Sequence, residues 1–154
     1  MTDAAASGSV TGTAALPLAR GRQELRAAEA LLEAGFPAQA VSHACLAGLH
    51  VASAALSVLG ECPATSAGVV SAFGRRVVGQ NAVDHETGRV LRRLYEDRHE
   101  VEHALVDAPP EEARGALEDA GRFVEATAAW ISRRENGSQA PLSHAPDVDR
   151  DTRG

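Results

Sequence analysis

Between Ala38 and Leu59 the chain runs without a single Asp, Glu, Lys or Arg. Val41, Cys45, Gly48, Leu49, Ala52, Leu56 and Leu59 fall on one stripe at helical spacing, and Ala44, Ala47, Ala54 and Ala55 carry the apolar surface nearly all round. A helix with no polar side must be surrounded, either by other helices or by lipid. Ser42, His43, His50, Ser53 and Ser57 interrupt the run, and polar groups in lipid are costly. No membrane association is therefore expected, and Ala38–Leu59 is read as the central helix of a bundle. His43 and His50 are seven residues apart and share a face. On a buried helix they are expected to be satisfied core or interface histidines, not ligands.

The other segments supply what would surround it. Hydrophobic residues make up 44% of the 154, but aromatics only 3%. The core must be built of Ala, Leu and Val, which suits closely packed helices better than a β-sandwich. Residues 1–20 are rich in Ala, Ser, Thr and Gly without apolar periodicity and are expected to be a disordered tail. A first helix is predicted over Arg22–Ala34, with Leu25, Ala28, Leu31 and Leu32 facing inward. Gly35 can close it, and Pro37 can open the next, so these two helices should pack antiparallel. After the break at Gly60–Ser66, capped by Thr65 or Ser66, a shorter helix is predicted over Ala67–Gln80, with Arg75 and Arg76 outward. A fourth is predicted over Glu86–Val106, on a Val90, Leu91, Leu94, Val101, Leu105 stripe. Pro109-Pro110 ends it, and a fifth runs to about Arg134. Residues 136–154 turn polar and proline-punctuated, as a second disordered tail would. The expected fold is all-α: one antiparallel helical bundle over residues 21–135, with four long helices and a shorter one.

Charge and cysteine content narrow the function. The net charge of −6 argues against non-specific nucleic-acid binding, which rests on phosphate neutralisation. It leaves room for a local cluster among the 15 basic residues, all of them arginine. Cys45 and Cys62 are too few for a disulfide framework and lack metal-type spacing, and Cys45 reads as a buried free thiol. Met1–Ala15 has no positively charged leader, so a cytoplasmic protein is expected.

The chemistry is concentrated in Leu94–His103, where two histidines, an arginine and four carboxylates crowd together. His99-Glu100-x-x-His103 matches the zinc-protease pattern, with both histidines on one helix face, Glu100 as base, and Glu118 or Glu125 as a possible third ligand. Glu102 departs from the uncharged residues such helices carry between the Glu and second His positions, and no strand is predicted to hold a peptide substrate. The bland alternative is a solvated helix face laced by Arg93–Asp97 and Arg98–Glu102 pairs.

A third reading draws on the whole chain. Leu31-Leu32-Glu33-Ala34-Gly35-Phe36-Pro37 leading into an Ala-rich helix, a second turn at Gly60 and Pro63, and Arg98-His99-x-x-x-His103 on the penultimate helix together resemble the HEPN family (higher-eukaryote and prokaryote nucleotide-binding domain). The Pro-Pro break and last helix, with Ala113, Ala120 and Phe123-Val124, are also in keeping. The resemblance spans roughly Glu24 to Ile131. It implies a homodimer in which two motifs share one cleft. Arg98 and His103 would be the catalytic pair and His99 a supporting polar residue, in a ribonuclease that uses no metal and no cofactor. RNA would be the substrate, and a nucleotidyltransferase-type antitoxin a possible partner. Some family members keep the fold as non-catalytic nucleotide- or RNA-binding or dimerisation modules, which is the alternative. Two features depart from the pattern. Leu105 stands where toxins of the family often carry a tyrosine that the antitoxin modifies, which argues against regulation by that route; Tyr95 lies one turn upstream of Arg98. Glu96, Asp97, Glu100 and Glu102 also crowd a site meant for a polyanion.

Overall fold

The structure is a computed structural model and describes residues 12–80, 82–103 and 107–139. Among these it holds five α-helices and no strand: α1 (Ala15–Glu33), α2 (Pro37–Val58), α3 (Ser66–Phe73), α4 (His85–His103) and α5 (Pro110–Gln139). A short 3-10 turn, Gly12–Ala14, precedes α1, and a π turn, Gly74–Val78, prolongs α3.

α2 is the hub, packed against α1, α3, α4 and α5. Its length and composition would suit a membrane span, yet 61% of its most apolar window is buried inside the bundle. Its alanines at 40, 44, 47, 54 and 55 are fully buried, so neighbouring helices approach closely. Glycines help at two crossings. A β-carbon on Gly21 of α1 would stand 2.5 Å from Val51 Cγ2 and 3.0 Å from the Ala47 carbonyl. At Gly48 it would meet Leu91, Leu94 and Phe123, which marks where α4 and α5 converge on α2. Phe73 and Phe123 meet there with ring centroids 5.3 Å apart and planes tilted by 52°, most of the aromatic content the core has.

Contacts along each pair fix the directions. From Thr13 to Gly21 to Glu24, the partners on α2 run backward from Ser57 through Val51 to His43, so α1 and α2 are antiparallel. Both helices end in Schellman motifs. Phe36 N–H donates to Leu31 O and Gly35 N–H to Leu32 O after α1; Glu61 donates to Leu56 and Gly60 to Ser57 after α2. Gly35 and Gly60 take the positive φ this requires, 90° and 81°.

The helix boundaries expected from the sequence shift at three places. α1 begins at Ala15, seven residues ahead of Arg22, inside the stretch expected to be disordered. Ala14 and Leu18 are buried against the bundle, and Pro17 sits in the first turn, where its missing N–H costs nothing. One leucine, Leu18, among small residues gives little periodic signal, because Ala14 and Gly21 contribute close approach instead of apolar bulk. α5 continues past Arg134 through Asn136 and Gly137, into the stretch expected to be a tail. Extending a formed helix needs no new nucleus, and Arg134 adds a contact over the Trp130 ring at 5.7 Å. The third helix, expected to be regular to Gln80, is α-helical only to Phe73. Its cap is Thr65, whose hydroxyl accepts from Gly68 N–H at 3.0 Å. α4 opens on an aspartate cap: Asp84 Oδ1 accepts from Thr87 N–H at 2.9 Å. Leu105 and Val106, expected in α4, lie outside the described residues, as do residues 1–11 and 140–154.

Candidate functional site on helix α4

α4 runs antiparallel to α2: Leu91 and Leu94 face Gly48, Arg98 lies against Cys45, and Glu102 reaches Ser42. Leu91 and Leu94 are buried, and this inner face anchors the helix so that its other sides can carry polar groups.

Arg98 is half-buried at the edge of that inner face. Its Nε donates to Glu102 Oε1 at 3.0 Å, the i,i+4 pair expected from the sequence. The Cys45 thiol of α2 lies close enough to its guanidinium for the two to act on each other's charge. Burial works against the charge on Arg98, but Glu102 and Cys45 outweigh it and raise its pKa further. Burial likewise opposes the Glu102 carboxylate, and the bond and charge of Arg98 hold it below its ordinary value. Cys45 is a buried thiol, as expected; burial pushes it up to about 12, so it is a packing partner and not a nucleophile.

His99 and His103 sit one turn apart on the exposed side of α4, their rings 4.4 Å apart and tilted by 40°. The structure thus brings the two histidines together and sets Arg98 on a different side of the helix, with Glu102 and Cys45 as its polar partners. Arg93 does not pair with Asp97. It reaches back to Glu86 at 3.2 Å, seven residues earlier on the same face, and across to Asp119 of the neighbouring α5 at 3.4 Å. His43 is satisfied by Glu24, Nδ1 to Oε2 at 2.6 Å, and His50 is lowered by burial.

The zinc pattern finds no third ligand. Among the described residues no group of three His, Cys, Asp or Glu is placed to hold a metal, so neither Glu118 nor Glu125 completes a site with His99 and His103.

A bundle of five helices with an apolar hub, and an Arg-x4-His motif on the fourth, defines a class that comparison with known proteins names. The sequence profile of the HEPN domain matches residues 15–130, and the chain belongs to the HEPN family. It is also similar to a protein of Methanocaldococcus jannaschii named "Putative toxin MJ0605". The two are 29% identical over 103 residues, 67% of this chain and 77% of the other.

Proposed function

We propose that the protein is a metal-independent endoribonuclease that works as a homodimer, with Arg98 holding the scissile phosphate, His103 moving the proton and His99 supporting it. The observation that carries this reading is the arrangement on α4: an exposed histidine pair, and on another side of the same helix an arginine bonded to Glu102. RNA can be cut without a metal when its own 2′-OH attacks the adjacent phosphate. The step needs a group that titrates near neutrality to move protons and a cation on the developing charge. Histidine and the forked guanidinium supply these. The toxin name of the relative supports a toxin role for this chain; an antitoxin of the nucleotidyltransferase type is the partner that the family resemblance implies. Leucine at position 105 offers no hydroxyl to modify, so restraint would come from covering the cleft.

The test is cleavage of RNA by purified protein free of any antitoxin. Arg98→Ala and His103→Ala should each lower cleavage by about 10²–10⁴-fold. Activity should persist in EDTA and leave a 2′,3′-cyclic phosphate end, and Glu100→Ala should change little. RNA left intact at micromolar protein would sink the enzyme and leave a non-catalytic binding or dimerisation module. One observation favours that second reading: Arg98 is already engaged by Glu102, and a phosphate would have to compete for it.

A further inference from the structure

A groove of about 810 Å³ opens between the π turn after α3 and the first three turns of α4. Its polar lining is strongly basic for a chain of net charge −6: Arg75 from the π turn, Arg89, Arg92 and His85 from α4, against one carboxylate, Glu96. The arginines nearby are not equivalent. Arg76 is spent on Glu61 at 2.9 Å, Arg93 on Glu86 and Asp119, and Arg89 on Glu86 at 3.4 Å. Arg75 and Arg92 have no ion-pair or hydrogen-bond partner among the described residues, and they come from opposite walls. Tyr95, half-buried, presents the one phenol ring on α4 to the same groove.

The groove is built by a local backbone feature. A π turn is rare and recurs at functional sites. Here it closes on Gly79 N–H to Gly74 O at 2.8 Å and seats Val78 directly on Gly88 of α4. A β-carbon at Gly88 would stand 2.8 Å from Val78 Cγ2, so only glycine lets the two walls meet at the floor. Arg75 is left outside, facing α4.

The groove also leads somewhere. His85, Arg92, His99 and His103 are spaced by seven, seven and four residues, which keeps them within about 40° of arc on α4. From Arg92 to His103 that strip is about 16 Å long at 1.5 Å per residue. One phosphate cannot span it, whereas a chain of phosphates can.

We propose that this groove is a binding track for single-stranded RNA, in which Arg75 and Arg92 each take a backbone phosphate and Tyr95 stacks a base, leading the strand along α4 to the histidine pair. A positively charged groove with an aromatic platform is what sequence-tolerant single-strand binding requires. The direction of the track toward His99 and His103 rests on the ribonuclease reading; the binding itself does not.

The experiment measures binding of a short fluorescein-labelled single-stranded RNA by anisotropy across salt concentrations, in a His103→Ala background so that the probe survives. Arg75→Ala with Arg92→Ala should weaken binding at least tenfold. The double variant should also flatten the log–log salt slope by about 1.4, two phosphates at roughly 0.7 each on a single strand. Tyr95→Leu should weaken binding about tenfold with the slope unchanged. The charge-matched pair Arg26→Ala with Arg133→Ala, on α1 and α5, should leave both nearly as they were. Equal losses in the two double variants would reduce the groove to bulk charge and overturn the proposal, as would unaltered binding or no binding at low salt. A change of solution mass in the Arg75/Arg92 variant would overturn it in favour of a second copy as the occupant. RNA bound through the groove but not cut by the wild type sinks the nuclease and keeps the track. RNA cut equally well by the Arg75/Arg92 variant, with unaltered binding, does the reverse.

Discussion

Asp97 and Arg98 are adjacent in sequence and opposite in circumstance. Arg98 turns toward α2, where its charge is matched by Glu102. Asp97 turns to the far side, into a cleft of about 440 Å³ whose walls also carry Glu100, Asp107, Glu112 and Asp119. Burial raises the Asp97 pKa, and Glu100 and Glu96 raise it further; Arg93 only partly offsets them. A carboxyl whose pKa is higher in the folded state binds its proton more tightly there. Its stabilising contribution is complete below the unfolded value and is lost as pH rises through the folded one. Asp97→Asn should therefore raise the unfolding midpoint at neutral pH, and the advantage over wild type should shrink as pH falls through the acid range. A series of urea melts across pH checks this, and an advantage that grew in acid would refute it. Of these side chains the sequence made only Arg98–Glu102 readable, because i,i+4 spacing on one helix needs no tertiary knowledge. Arg93 was misassigned because its partners lie seven residues back and on another helix, and Cys45 could be placed beside Arg98 only once α2 and α4 were docked.

At the scale of the elements, the readable parts were those with large apolar side chains or strong punctuation. The stripe of α2, the Val90, Leu91 and Leu94 part of the α4 stripe, the turns at Gly35 and Gly60 and the start of α5 at Pro110 stand where periodicity and backbone chemistry put them. The start of α1 was not readable, since its contact face offers one large side chain, Leu18, between the small Ala14 and Gly21, whose contribution is close approach. That reasoning separates two glycines otherwise alike in the middle of helices. Gly21→Ala places a methyl 2.5 Å from Val51 Cγ2 and against the rigid Ala47 carbonyl, so α1 must move off α2. Overpacking of this kind costs about 1–3 kcal/mol, more than the roughly 1 kcal/mol that alanine gains in helix propensity. Gly121→Ala on α5 meets nothing within 4 Å and should stabilise by about 0.5–1 kcal/mol. Denaturant midpoints of the two variants should move in opposite directions; a stabilised Gly21→Ala would mean that α1 and α2 are not packed this closely. The π turn was equally hidden, because Gly74–Val78 reads as ordinary helix, and with it the groove that joins Arg75 to Arg92.

For the whole molecule the question is where the second half of the proposed cleft comes from. Arg98 and His103 lie five residues apart, about 140° round the helix axis, and Arg98 is tied to α2 while the histidines face outward. One α4 cannot easily aim both at the same phosphate, but two copies of α4 facing each other can, with arginine from one subunit and histidine from the other. This makes a claim that neither a monomeric enzyme nor a dimer with self-contained sites makes. Arg98→Ala and His103→Ala homodimers should each be inactive. In the mixed dimer, one subunit keeps its histidine and its partner keeps its arginine, so one complete pairing survives across the interface. Unfolding the two variants together and refolding them should restore a substantial fraction of wild-type cleavage. Refolding either alone should restore none. If Arg98 and His103 acted within one subunit, every site in the mixture would lack one of them and no activity would return. Light scattering on the refolded sample, read against twice the 16.0 kDa of the chain, confirms that dimers were present for the comparison.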